Sequence, residues 1–166
     1  MKRKIFYSFH YDEDRDRVAQ VRNMGVVEGS PIASDNDWER IKRGGDQAIQ
    51  AWIEQQMKGT SCCVVLIGRN TASRKWVTYE ISEAWNRNKG VVGIHIYELK
   101  NLQGYKSSKG SNPLDNVTFT QGGGALSSVA KTYDPPQYDS KEVYAYIKNN
   151  MAAWIEEAIQ IRAKVG

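Results

Sequence analysis

The chain has 166 residues, 40% of them hydrophobic and 25% charged, with 23 Lys and Arg against 19 Asp and Glu for a net charge of +4. That length fits one globular domain, since a chain of ~150 residues buries roughly 68–70% of its unfolded surface, and the composition excludes general disorder. The small, dispersed positive surplus argues against a nucleic-acid partner, and no stretch approaches the ~18 apolar residues of a membrane span.

Two adjacent cysteines, Cys62 and Cys63, and two distant histidines, His10 and His95, form no zinc pattern. Neighbours on a strand point to opposite faces, so the cysteines are poorly placed to bridge each other; a reduced, cytoplasmic protein without a metal is expected. Behind the basic tip Lys2–Arg3–Lys4, the apolar stretch runs only from Ile5 to Phe9, too short for a signal-peptide core.

Residues 4–9 are aromatic and β-branched and predict a strand. Asp12, Glu13 and Asp14 suit the start of a helix, whose buried side is Val18, Val21 and Met24. Residues 25–37 are rich in turn formers, with a short strand expected at Val26–Val27 or at Ile32. Gly44–Gly45 interrupts any helix begun at Trp38. Asp46 is placed to cap the next, which presents Ile49, Trp52, Ile53 and Met57 on one face and ends at Gly59.

Residues 62–67 form a continuous apolar run stopped by Gly68, as expected of a parallel strand covered on both faces. A polar loop over 69–75 leads to a helix over 76–88, with Val77, Ile81, Ala84 and Trp85 as its buried stripe and Gly90 as its end. Residues 91–97 form another covered strand. Alternating short strands and helices predict an α/β, flavodoxin-like three-layer fold: a central parallel sheet of about five strands with 4–9, 62–67 and 91–97 adjacent in its middle. Residues 98–138 are an irregular excursion in which 126–133 supplies an edge strand. Asp139 and Glu142 make a capping box for a last helix, over 139–164, carrying Val143, Ile147, Trp154, Ile155, Ala158 and Ile159. The whole chain reads as a single domain.

Ligands of open parallel sheets bind beyond the carboxyl ends of the strands, here 9–14, 68–76 and 97 onward. Gly122–Gly123–Gly124 lacks a following Gly-Lys-Ser/Thr and reads as a flexible turn, and no nucleophile elbow or Cys–His pair is present. Trp76 and Glu80 lie four residues apart, on one helix face at the expected pocket. By spacing alone the plainer reading is a partly buried tryptophan beside a solvated glutamate. A lone loop histidine such as His10 is more often incidental than a phosphate or proton ligand. His95 reads as structural, and Trp38, Trp52, Trp85 and Trp154 as core. Asp35 and Asn36 carry no assignment.

The segment Ile5-Phe6-Tyr7-Ser8-Phe9-His10-Tyr11-Asp12 resembles the first box of TIR domains. Trp76-Val77-Thr78-Tyr79-Glu80 resembles the Trp-x-x-x-Glu signature of TIR domains that cleave NAD. Val64-Val65-Leu66-Ile67-Gly68, Thr71, Arg74-Lys75-Trp76 and Gly93-Ile94-His95-Ile96 are similar to the TIR-like subfamily found in Thoeris antiphage defence. The likeness spans residues 4–97.

The resemblance implies a TIR-like sheet with an NAD-consuming pocket. Glu80 would be the catalytic carboxylate and Trp76 the aromatic beside the ribose. Phe9, His10, Tyr11 and Asp12 would line the nucleotide, and 25–43 would take the place of the gating segment that also mediates assembly. NAD is then substrate and not cofactor. Further partners implied are a second copy of the chain, a separate effector reached by a diffusible nucleotide signal, and a phage protein as trigger. Nicotinamide is a cationic leaving group whose glycosidic bond breaks through an oxocarbenium-like centre, which one ionised carboxylate can stabilise. An unperturbed glutamate, with a pKa of ~4.3, is ionised at neutral pH, and Glu80 is expected to face the pocket mouth. Two other readings stand beside the enzyme: a non-catalytic TIR-like interaction module, and a nucleoside-processing enzyme such as a deoxyribosyltransferase. The presence of Glu80 and Trp76 favours the NAD-cleaving enzyme.

Overall fold

The computed structural model describes residues 2–30, 35–119 and 123–165, without the side chains at positions 35 and 36. Five parallel strands, β1 (Lys4–Ser8), β2 (Glu28–Gly29), β3 (Cys62–Ile67), β4 (Gly90–His95) and β5 (Thr132–Tyr133), lie in the order β2-β1-β3-β4-β5. The helices are α1 (Tyr11–Arg22), α2 (Asp35–Arg43), α3 (Gly45–Met57), α4 (Lys75–Asn86) and α5 (Ser140–Val165). This is the flavodoxin-like α/β order, with 4–8, 62–67 and 90–95 adjacent as expected.

Every residue of β3 and β4 is buried, which is why their sequences are unbroken apolar runs and not alternating ones. The period of two then divides them. Cys62, Val64 and Leu66 meet α1 and α5 through Val18, Val21, Val143, Ile147 and Ile155. Cys63, Val65 and Ile67 meet α3 and α4 through Ile49, Ile53, Met57, Val77 and Ile81. Gly90 opens β4 and does not end α4; a Cβ there would sit 2.8 Å from the backbone of Ala158, so the absent side chain lets α5 lie close on the sheet. The turn after α4 is made instead by Asn88, in the left-handed region at φ 64°.

Several expectations shift. The strand pairing with β1 is Glu28–Gly29, because Val26 and Val27 turn into the core beside α1; the alternative at Ile32 lies outside the described residues. Asp46 does not cap α3. It falls inside the first turn, since Gly45 at φ 81° already begins the helix, and its carboxylate bonds Lys75 at 2.9 Å. Asp139 does cap α5, accepting from the amides of Lys141 and Glu142 at 2.8 and 3.4 Å. The expected edge strand over 126–133 shrinks to β5, while 126–128 is a 3-10 turn. In the β4–β5 connection Leu114, Val117, Leu126 and Ala130 complete the α3/α4-side core. Within the triple glycine, Gly122 lies outside the described residues; Gly123 has φ 69° next to an antiparallel bridge between Thr118 and Ala125.

Candidate functional site

β1 has β2 on one side and β3 on the other, so the chain leaves it toward one neighbour and returns through the other, and the carboxyl end of β1 is the switch point at which open α/β sheets place ligands. Ser8 is the last residue of β1 and, like Phe6, faces α3 and α4. Glu80 falls on the inward stripe of α4 with Val77, Ile81 and Ala84, because three- and four-residue steps from Val77 and Ala84 bring it to the sheet. There Ser8 Oγ donates to Glu80 Oε1 at 2.6 Å.

Glu80 is only 8% exposed, so it is neither the solvated residue of the plain reading nor a group at the pocket mouth. The expectation of an ionised carboxylate at neutral pH is likewise overturned: burial pushes Glu80 up to about 8, with the Ser8 bond pulling it partly back. Cys63 of β3 feels the Glu80 charge and burial holds it as a neutral thiol, its pKa well above the ordinary value. No Lys, Arg or His pairs with Glu80 among the described residues.

The β1–α1 loop is organised by His10 and aromatic contacts. His10 caps α1: its Nδ1 accepts from the amide of Glu13 at 3.3 Å, which leaves the proton on Nε2, 3.4 Å from Glu13 Oε2. Glu13 also accepts from Arg69 at 3.1 Å and Asn70 at 2.9 Å, tying the loop after β3 to the loop after β1. Phe9 is half-buried against the α1/α5-side core, and its ring lies 6.1 Å from Tyr11. Tyr11 continues to Trp38 at 5.1 Å and Trp38 to Trp52 at 5.9 Å.

Tyr11, the exposed Asp12, Arg15, Trp38 and Glu39 line an open cleft of about 320 Å³. Trp38 and Trp52 are therefore half-buried members of an aromatic row, whereas Trp85 and Trp154 are core as expected. Trp76 is half-buried at the rim of the α3/α4-side core, edge-on to Tyr79 at 5.4 Å with Lys75 Nζ 4.9 Å from its ring centre. Neither Trp76 nor Glu80 lines the Tyr11–Trp38 cleft.

Four residues that shape this edge escaped the sequence reading: Ser8 as partner of Glu80, Glu13 as the tie between loops, and Asp14 with Arg17. Asp14 is 1% exposed; Arg17 Nη1 donates to its Oδ1 at 3.2 Å, while Arg17 Nε and Nη2 donate to the carbonyls of Leu99 and Tyr105 at 2.7 and 2.9 Å. The available signals were the inward phase of Ser8 and the three-residue spacing of Asp14 and Arg17, on the same turns as Val18 and Val21. His95 is buried at the end of β4 with Nδ1 unpartnered, and burial lowers its proton affinity. Among the described residues no group of His, Cys, Asp and Glu could hold a metal ion, and no helix is long and apolar enough to cross a membrane.

Residues 6–101 match the family described as "Thoeris protein ThsB, TIR-like domain". The chain is also 38% identical over 124 residues to "Putative cyclic ADP-D-ribose synthase ThsB1" of Bacillus cereus (strain MSX-D12); the aligned part is 72% of this chain and 65% of that relative. The chain thus spans a little less than two thirds of the curated relative it matches. With more than half of its length matched and the flavodoxin-like strand order in place, this chain belongs to the Thoeris ThsB family of TIR-like domains.

Proposed function

We propose that the protein is an NAD-consuming enzyme that cleaves the nicotinamide–ribose bond and makes a cyclic or conjugated ADP-ribose signal in Thoeris-type antiphage defence. The observation that carries this reading is Glu80, a buried carboxyl held by Ser8 at the carboxyl end of β1, the strand from which the chain passes to β2 on one side and β3 on the other. A carboxylate fixed there in a low-dielectric wall stabilises positive charge growing on the ribose far better than it would in water. The name of the Bacillus cereus relative, a cyclic ADP-D-ribose synthase, supports a nucleotide product.

In this reading the ring of Trp76 packs beside the ribose, and Phe9, Tyr11 and Asp12 receive the rest of the dinucleotide. His10 acts by holding the loop, since its Nδ1 accepts the Glu13 amide at the start of α1. NAD is the substrate and the residues need no metal. The product diffuses to a separate effector, a phage protein triggers the enzyme, and a second copy of the chain completes or gates the site.

The test is release of free nicotinamide from NAD by the protein, alone and with lysate of phage-infected cells. Release that depends on Glu80 supports the enzyme. No release under either condition would leave the non-catalytic interaction module.

A further inference from the structure

A buried acid normally has either a cation or several hydrogen-bond donors, because an ion stripped of water costs several kcal/mol. Among the described residues Glu80 has one donor, the Ser8 hydroxyl, which bonds one of its two oxygens. The elements packed around it offer no positive charge. β1 presents Ser8, β3 presents the thiol of Cys63, and the Lys, Arg and His side chains of the described residues pair elsewhere or stand away from it. The residues outside the described set include no Lys, Arg or His, so they add no basic side chain. α4 itself places Val77, Ile81 and Ala84 next to Glu80, all apolar. The carboxyl is therefore buried with no counter-cation among the described residues.

We propose that the counter-ion of Glu80 is the ligand's own pyridinium ring, so that binding of a cationic nicotinamide nucleotide expels the carboxyl proton into solvent and a neutral dihydronicotinamide nucleotide does not. The inference rests on the NAD-consuming reading and adds to it a charge filter. The empty site holds a neutral acid, consistent with the raised position of Glu80 near 8, and the substrate turns it into the carboxylate that bond cleavage needs. Ser8 keeps donating to Oε1 in both states, and the departing proton goes to buffer. Oxidised and reduced forms of the same dinucleotide are thereby distinguished by charge, before any difference in reactivity.

The experiment titrates the intact protein with carba-NAD, in which a methylene replaces the ring oxygen of the nicotinamide ribose. This ligand keeps the pyridinium charge but resists cleavage. Calorimetry at neutral pH in two buffers of different ionisation enthalpy counts the protons exchanged. Carba-NAD is expected to release close to one proton and to bind about tenfold more tightly for each unit of pH gained below the Glu80 midpoint. NADH is expected to bind weakly with no release, and Glu80→Gln to abolish both the release and the pH dependence. Carba-NAD binding without proton exchange, or equal release with NADH, overturns the inference while nicotinamide release by the wild type leaves the enzymatic reading intact. Failure of both nucleotides to bind, together with no nicotinamide release, removes both.

Discussion

Asp14 and Glu80 are both buried carboxylic acids, one on each face of the sheet, and burial raises the proton affinity of both. Asp14 has a cation beside it: Arg17 bonds its Oδ1 and reaches past it to two carbonyls of the 99–105 loop, and its charge pulls the acid back toward ionisation. Among the described residues Glu80 has only a hydroxyl. The first arrangement fixes a loop to a helix. The second leaves a buried carboxyl without a counter-charge among the described residues, beside the carboxyl end of β1. Buried carboxyls with perturbed proton affinity serve structure when the chain supplies the counter-charge, and mark a site when it does not.

The strongest way to break this comparison is to remove the cation from the structural pair. Arg17→Met keeps the apolar stem but strands Asp14 and two loop carbonyls, and should cost about 3–5 kcal/mol in urea unfolding. A cost below ~1 kcal/mol would mean that the pair is not a structural tie. Glu80→Gln should behave in the opposite sense. Nicotinamide release should fall by about 10²-fold or more, because one preorganised charge is gone, while the fold is kept. Its effect on stability has a definite sign. The folded-state pKa, about 8, lies above the unfolded value near 4.5, so the folded protein holds the extra proton across that window and loses stability as pH rises through it. Glu80→Gln removes this penalty. Its melting temperature should exceed that of the wild type toward the alkaline end of the window, by about 2–4 °C for each kcal/mol of penalty removed, and the difference should vanish toward acid. A variant less stable than wild type at all pH values would return Glu80 to a structural role.

Gly68 tests the same contrast from the backbone. A Cβ there would lie 2.1 Å from Asp14 Oδ2, so Gly68→Ala must displace a buried, ion-paired carboxylate. A loss of about 1–3 kcal/mol is expected in the same unfolding assay. An unchanged melt would show that Asp14 moves aside freely.

The sheet was legible because its central strands are buried on both faces and leave unbroken apolar runs, as in Cys62–Ile67. The edge strands were not. β2 and β5 have two residues each, below the length at which periodicity exists, and their pairing is settled by tertiary contacts. Trp76 and Glu80 were singled out by family resemblance, since their spacing on α4 alone favoured a plainer reading. The burial of Glu80, and with it the rise in its proton affinity, was not legible, because it depends on the phase of α4 against β1 and β3. Ser8 shows the same limit. Its residue type permits a hydrogen bond, but its partner lies 72 residues away.

Ser8→Ala sharpens the comparison by removing the one bond among the described residues that favours the charged form of Glu80. The carboxyl should then be harder to ionise. The rising limb of kcat/KM with pH should move to higher pH, with roughly threefold loss at neutrality for a half-unit move and little loss on the alkaline plateau. Equal loss at all pH values would mean that Ser8 acts by packing alone.

The smallest effect concerns His10, whose Nδ1 caps the first turn of α1. A cap needs an acceptor for the Glu13 amide and does not need an imidazole. His10→Asn supplies such an acceptor and should cost only a few tenths of a kcal/mol, whereas His10→Ala removes it and should cost ~1 kcal/mol. The two variants also separate capping from chemistry. If His10 works only by shaping the loop that carries Phe9, Tyr11 and Asp12, His10→Asn should release nicotinamide at close to the wild-type rate. His10→Ala should lose activity only in step with the frayed helix start. If the imidazole instead meets a phosphate or moves a proton, asparagine cannot replace it, and the rate should fall by 10²-fold or more although the melt is unchanged. The measurement is nicotinamide release beside a thermal melt for both variants. A large rate loss in His10→Asn at wild-type stability would move His10 from the scaffold into the site.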